Sequence, residues 1–127
     1  MAGRVVHFEV PYDDVERATG FYRDVFGWQI QSIPELSYHM VATGPVEAQG
    51  MPSEPGFVNG GMLPRQPGSP STPVITIDVD DIDAALADIE ARGGSTVEKK
   101  VPIGNMGFAA YFKDTEGNLL GLWQSAG

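Results

Sequence analysis

Residues Val5–Ile30 read VVHFEVPYDDVERATGFYRDVFGWQI, and residues Thr72–Val97 read TPVITIDVDDIDAALADIEARGGSTV. Laid over one another without a gap, the two stretches are one plan written twice, 67 residues apart. Asp13-Asp14-Val15 falls on Asp80-Asp81-Ile82, Val10 on Ile77, Ala18 on Ala85, Tyr22 on Ile89 and Gly27 on Gly94. Each copy predicts a strand, an acidic turn, an amphipathic helix, a glycine and a second strand. The symmetry breaks at one position: His7 falls on Val74.

Working outward, Arg4–Val10 is rich in valine and aromatic residues and reads as a strand. Asp13 and Asp14 are N-cap candidates, with Glu16 three residues after Asp13 in a capping-box arrangement. Val15, Ala18, Tyr22, Val25 and Phe26 recur at helical spacing, and Gly27 suits a C-terminal cap. Trp28–Ser32 and Ser37–Thr43 read as strands with Pro34 in the turn between them. Phe57–Leu63 is a weaker fourth strand, because Gly60 and Gly61 lower strand propensity. In the second copy Val74–Val79, Ser95–Val101, Met106–Lys113 and Leu119–Gln124 read as strands. The helix between the first two carries the apolar stripe Ile82, Ala85, Leu86 and Ile89 and ends at Gly93-Gly94. Asp114–Asn118 is a turn by composition.

Seven of the ten prolines lie between Pro45 and Pro73. Gly44–Gly56 reads as a long loop, and Pro64–Pro73 as a stiff connector, since proline restricts φ. The chain is thus expected to be one domain over residues 1–127. Its parts are a first unit at 4–63, a linker at 64–73 and a second unit at 74–124. The fold class is α+β: two tandem β-α-β-β-β units forming a curved, cleft-bearing mixed sheet with helices on its outer face.

The formal net charge of −9 argues against binding a phosphate backbone or anionic lipid. No cysteine is present, so disulfides, thiolate metal sites and cysteine nucleophiles are excluded. No apolar run reaches membrane-spanning length, and the N-terminus lacks the pattern of a signal peptide. The expected location is the cytoplasm, with no nucleic-acid or membrane partner.

Three segments together resemble the vicinal oxygen chelate superfamily, the group of glyoxalases, bleomycin-resistance proteins and extradiol dioxygenases. They are HFEVPYDDVERATGFYRDVFGW, NGGM and FKDTEGNLLGLWQ. The small lactoylglutathione-lyase-related bacterial branch is the nearest in kind. The resemblance covers almost the whole chain and implies the paired β-α-β-β-β fold. It also implies four places for metal ligands, on the first and last strand of each unit. His7 matches the first place, Gly60 or Gly61 the second, Val74 the third and Gly121 the fourth, where a glutamate is usual. Valine and glycine offer no donor, and catalytic zinc or iron sites use about three protein ligands. A divalent metal is therefore disfavoured and no cofactor is expected.

Alternation along the strand places His7 and Glu9 on one face. They are either a general acid–base pair or ligand anchor, or a histidine hydrogen-bonded to a neighbour without chemistry. Val74 and Thr76 share a face by the same rule, as do Gly121 and Trp123, and these four with Gly60 and Gly61 are the candidate ligand-binding residues. The face of His39 is undetermined. Three functions follow. The first is metal-free binding of a small, partly apolar or aromatic molecule. The second is lyase or isomerase chemistry by His7 and Glu9. The third is a glyoxalase-like or dioxygenase-like metal enzyme with non-standard ligands. Exposed sheet edges point to a homodimer.

Overall fold

The computed structural model describes residues 3–47 and 51–126. The chain forms two compact units, one of residues 7–73 and the other of the remainder. In chain order the elements are β1 (Val5–Tyr12), α1 (Val15–Phe26), β2 (Gln29–Ile33), a 3-10 turn (Pro34–Leu36), β3 (Tyr38–Ala42) and β4 (Gly60–Pro64). After the connector come β5 (Val74–Asp78), α2 (Ile82–Ala91), β6 (Ser95–Ile103), β7 (Gly107–Lys113) and β8 (Leu119–Ser125). The β-α-β-β-β pattern written twice in the sequence is present twice in the fold.

Each unit has one strand order. In the first, β1 runs parallel to β4, which pairs antiparallel with β3, and β3 with β2. In the second, β5 runs parallel to β8, which pairs antiparallel with β7, and β7 with β6. First and last strands are therefore neighbours in both, and the helix supplies the crossover that parallel pairing needs.

The helices start by the same device at the same repeat position. Asp14 caps α1, its carboxylate accepting from the Arg17 N–H at 3.0 Å. Asp81 caps α2, accepting from the Ala84 N–H at 3.2 Å. Such a side chain satisfies one of the helix's orphan amides. The expected Asp13–Glu16 capping box is not the observed cap: Asp13 instead pairs with Arg65 at 2.9 Å. The ends differ. Gly27 closes α1 in the left-handed region at φ 74°, its N–H donating to the Arg23 carbonyl. α2 stops earlier, at Ala91, with the left-handed residue at Gly93.

In the second unit α2 lays Ile82 and Leu86 on Ala110, Phe112 and Leu122 of β7 and β8. Ile82 has no exposed surface. In the first unit α1 buries only Thr19. Its packing is aromatic instead: Tyr22 stacks on Trp28 at 4.6 Å, and Trp28 tilts against Phe8 of β1 at 5.5 Å. Strand alternation then puts His7 and Glu9 on the face of β1 opposite Phe8, away from the helix.

Two expectations are refined. β4 forms in spite of its two glycines, since neighbours hydrogen-bond it on both sides. The segment expected as the loop Gly44–Gly56 is partly ordered by a bridge between Val46 and Pro52, while its residues 48–50 lie outside the described residues.

Candidate functional site

The register of the first unit sets three residues in a row: Met40 on β3, Gly61 on β4 and Glu9 on β1. Tyr38, two residues before Met40, shares that face. A Cβ built on Gly61 would overlap the hydroxyl end of the Tyr38 ring. The missing side chain is what lets the phenol lie across β4 and reach β1. Gly60 faces the other way, where a Cβ would meet Phe8. Of the two glycines, Gly61 is therefore the one that shares the His7–Glu9 face.

The Tyr38 hydroxyl donates to Glu9 Oε2 at 2.8 Å and lies 2.8 Å from His7 Nε2. A phenol has one proton. With that proton given to Glu9, His7 Nε2 is the N–H donor to the Tyr38 oxygen, and Nδ1 becomes the basic nitrogen. Glu9 is buried at 8% exposure. Burial lowers the His7 pKa below its ordinary 6.5, the nearby Glu9 carboxylate pulling the other way with smaller effect. The imidazole is therefore neutral at pH 7, consistent with the tautomer the hydrogen bonds require.

His7 and Glu9 are thus brought together, but through a residue that sequence reasoning missed. Tyr38 was visible only as the neighbour of His39. Its signal was indirect: a tyrosine on the strand beside a glycine strand. His39 itself lies on the opposite face, edge-on to Tyr12 at 5.8 Å, with Nδ1 buried and unpartnered.

The second unit holds the remaining candidates. Thr76 pairs with Gly121, and Asp78 with Trp123. Val74 and Thr76 are buried at 1% and 7% exposure. The Thr76 hydroxyl fills the space above Gly121, 2.8 Å from where a Cβ would stand. Trp123 shares that face, as expected, and its indole N–H donates to the Ser125 hydroxyl at 3.3 Å. Tyr111, paired with Gly121, lies on this face too, while Phe108 packs toward the α2 core.

Of the residues at the four places where the resemblance sets ligands for a metal ion, only His7 has a side-chain donor. Gly61, Val74 and Gly121 carry no donor atom, and the Nε2 of His7 is engaged by a phenol. Among the described residues no group of three or more His, Cys, Asp or Glu side chains could hold one. Among them, too, no helix is long and apolar enough to cross a membrane.

The family model described as bleomycin resistance protein-like N-terminal matches residues 4–44. A glyoxylase-like domain-containing protein of Didymella fabae is 31% identical over 122 residues, covering 91% of this chain and 89% of that one. Mouse mitochondrial methylmalonyl-CoA epimerase is 29% identical over 143 residues, covering 97% of this chain and 74% of its own. Among solved structures, a variant of Streptomyces coelicolor methylmalonyl-CoA epimerase with 2-nitronate-propionyl-CoA superposes at a TM-score of 0.68. It shares 19% identity and covers 100% of both chains. Sequence likeness and fold together are those of a glyoxalase/bleomycin-resistance-like protein. The chain belongs to the vicinal oxygen chelate superfamily.

Proposed function

We propose that this cytoplasmic protein binds a small, partly apolar or aromatic molecule without a metal, with the strand face of the first unit that carries His7 and Glu9 as its polar anchor. The observation that carries the reading is the Tyr38 hydroxyl lodged above Gly61 and bonded to both His7 and Glu9. Groups that would face an ion are tied to a phenol, and a phenol edge with an imidazole suits a polar anchor in an otherwise apolar site. Tyr38 and His7 are the residues on which affinity would rest.

The test is titration with Zn²⁺, Ni²⁺, Fe²⁺ and Mn²⁺ beside a thermal-shift panel of bleomycin and aromatic acyl-CoA thioesters. The expected result is less than about a tenth of an equivalent of any metal, with a stabilising shift from an organic probe that Tyr38→Ala abolishes. Near-stoichiometric metal that is lost in His7→Ala would overturn the proposal.

One observation favours a second reading, in which the site moves a proton. The hydrogen bonds leave His7 Nδ1 as the base, and burial keeps the ring neutral. A neutral imidazole can take a proton from a carbon beside a carbonyl, the step with which an isomerase of such a substrate begins. Solved neighbours of this fold are methylmalonyl-CoA epimerases. Methylmalonyl-CoA incubated in D₂O would take up deuterium at that carbon with the native protein and not with His7→Ala. No exchange above the uncatalysed rate would sink this reading.

A further inference from the structure

The second unit has a strand face turned away from its helix. One row across it is Asp78 on β5, Trp123 on β8, Ala109 on β7 and Val101 on β6. In the next row Tyr111 pairs with Glu98. The opposite face holds Ile77, Ala110 and Leu122, which pack with α2. On β7 this leaves a floor of Gly107 and Ala109. A Cβ on Gly107 would stand 2.6 Å from the benzene ring of the Trp123 indole. The ring therefore leans from β8 over β7, into space that only a glycine leaves open. Its N–H donates to Ser125 Oγ at 3.3 Å.

Charge in this unit is sorted by face. Between Glu98 and Val101 β6 carries two residues, Lys99 and Lys100, opposite the single Ala110 of β7. This irregularity sends both lysines to the helix side. Lys100 reaches Asp83 at 3.8 Å and lies over the Phe108 ring at 4.5 Å. Lys99 lines a groove with Leu86 and Ala87 of α2. Glu98 and Asp78 stay on the other face with the aromatic rings. Lys113, the basic residue of β7 on that face, is four residues and about 13 Å along the strand from Ala109. Asp78 is half-buried, and among the described residues its carboxylate makes no hydrogen bond or ion pair. Arg4 accepts the Asp78 backbone N–H at 2.8 Å through its carbonyl and does not pair with the carboxylate.

We infer that this face is a binding site for a small organic cation, an alkylammonium seated on the Trp123 indole with Asp78 as its counter-ion. The face of an indole attracts a cation through its quadrupole, more strongly where water is displaced. Asp78 stands in register on the neighbouring strand, its backbone about 5 Å from that of Trp123. An ammonium above the ring lies within reach of that carboxylate. The glycine and alanine floor leaves room for its methyl groups, and Glu98 adds a second negative charge one row away. An anion would meet two carboxylates here. A neutral molecule would cover the half-buried charge of Asp78 without compensating it. The chain's net charge of −9 draws cations toward it. The site lies wholly in the second unit and stands whether or not the His7 face binds anything.

The chain has two tryptophans, so its NMR spectrum holds two indole N–H signals, and Trp123→Phe identifies the one from this site. The probe is choline, set against its neutral isostere in which a tert-butyl group replaces the trimethylammonium. Choline titrated into the full chain is expected to move the Trp123 signal saturably, with a dissociation constant on the order of 1 mM, and to leave the Trp28 signal in place. The isostere is expected to give no saturable shift. Asp78→Asn should weaken choline binding about tenfold and Glu98→Gln about threefold. Raising the salt from about 0.02 to about 0.5 M should weaken binding to the native chain severalfold, a measurement that needs no variant to fold. A Trp123 signal that choline does not move overturns the inference. An equal response to the isostere overturns it too, because the face is then merely apolar. So does binding indifferent to both Asp78→Asn and salt, which removes the counter-ion.

Discussion

The first and last strands of each unit meet at a glycine. Gly61 lies beside Glu9, and Gly121 beside Thr76, and Glu9 and Thr76 occupy the same position of the 67-residue repeat. What fills the two gaps differs. Above Gly121 it is the short hydroxyl side chain of Thr76, from the neighbouring strand itself. Above Gly61 it is the long phenol of Tyr38, arriving from β3 and carrying a hydrogen-bond chain to His7 and Glu9. In β7, two residues before the partner of Gly121, the position equivalent to Tyr38 holds Ala109. One unit fills its gap with a local side chain and concentrates on packing; the other fills it with a polar network. The helices divide the same way, α2 with a buried apolar core beneath it and α1 with Phe21, Val25 and Phe26 exposed.

The sharpest way to break this comparison is to cut the matched first residues of the helices. Ile82 is fully buried and Val15 only half-buried. Ile82→Ala should cost about 3–4 kcal/mol in denaturant unfolding, against less than about 1 kcal/mol for Val15→Ala. Equal costs would mean that α1 is as deeply seated as α2. The glycines come next. Gly61→Ala forces the Tyr38 ring out of its place and should cost about 2–3 kcal/mol, while Gly121→Ala meets only a threonine hydroxyl that can rotate and should cost about 1 kcal/mol. A harmless Gly61→Ala would show that Tyr38 is not held across β4.

The caps sharpen the similarity rather than the difference. Asp14→Ala and Asp81→Ala should each cost about 1 kcal/mol, the two values agreeing within a few tenths. The smallest effect is a pH dependence confined to the unit with the histidine. The His7 pKa is depressed in the folded state, so below pH 6.5 the unfolded chain binds a proton that the folded chain does not. Stability is complete above about pH 6.5 and falls as pH drops from there toward the lowered folded value. His7→Gln should flatten that part of the stability–pH profile. A His7 pKa at or above 6.5, read from its ring protons by NMR, would contradict the burial on which the neutral-imidazole reading rests.

Much of the fold was legible in the sequence because its signals are local. A repeat without gaps, an aspartate before each apolar stripe and a glycine after it place both helices, and the cap aspartates fall at identical repeat positions. The site was half legible. Alternation puts His7 and Glu9 on one face of a strand, and they are on one face. Tyr38 was not legible, because its role depends on the register of three strands and on an absent Cβ, neither of which is written near residue 38. The choice between Gly60 and Gly61 needed the same register. Asp13 misled for a different reason: two adjacent aspartates compete for one cap, and the contact that draws Asp13 away is Arg65, beyond any local window.

The parallel closure of each unit bears on the order in which the chain folds. Val10 on β1 finds its partner in Met62, and Ile77 on β5 in Leu122, each roughly fifty residues downstream. Contacts of such sequence separation form late, after loop-closure entropy has been overcome. During synthesis β1 therefore emerges with its valines and an unpaired edge and waits for β4, whereas the β2–β3 pair, joined by a single turn, can zip at once. A nascent chain halted before residue 60 would hold α1 and one strand pair but no partner for β1 on its β4 side. Pulse proteolysis of stalled chains should reveal β1 as the last part of that unit to become protected.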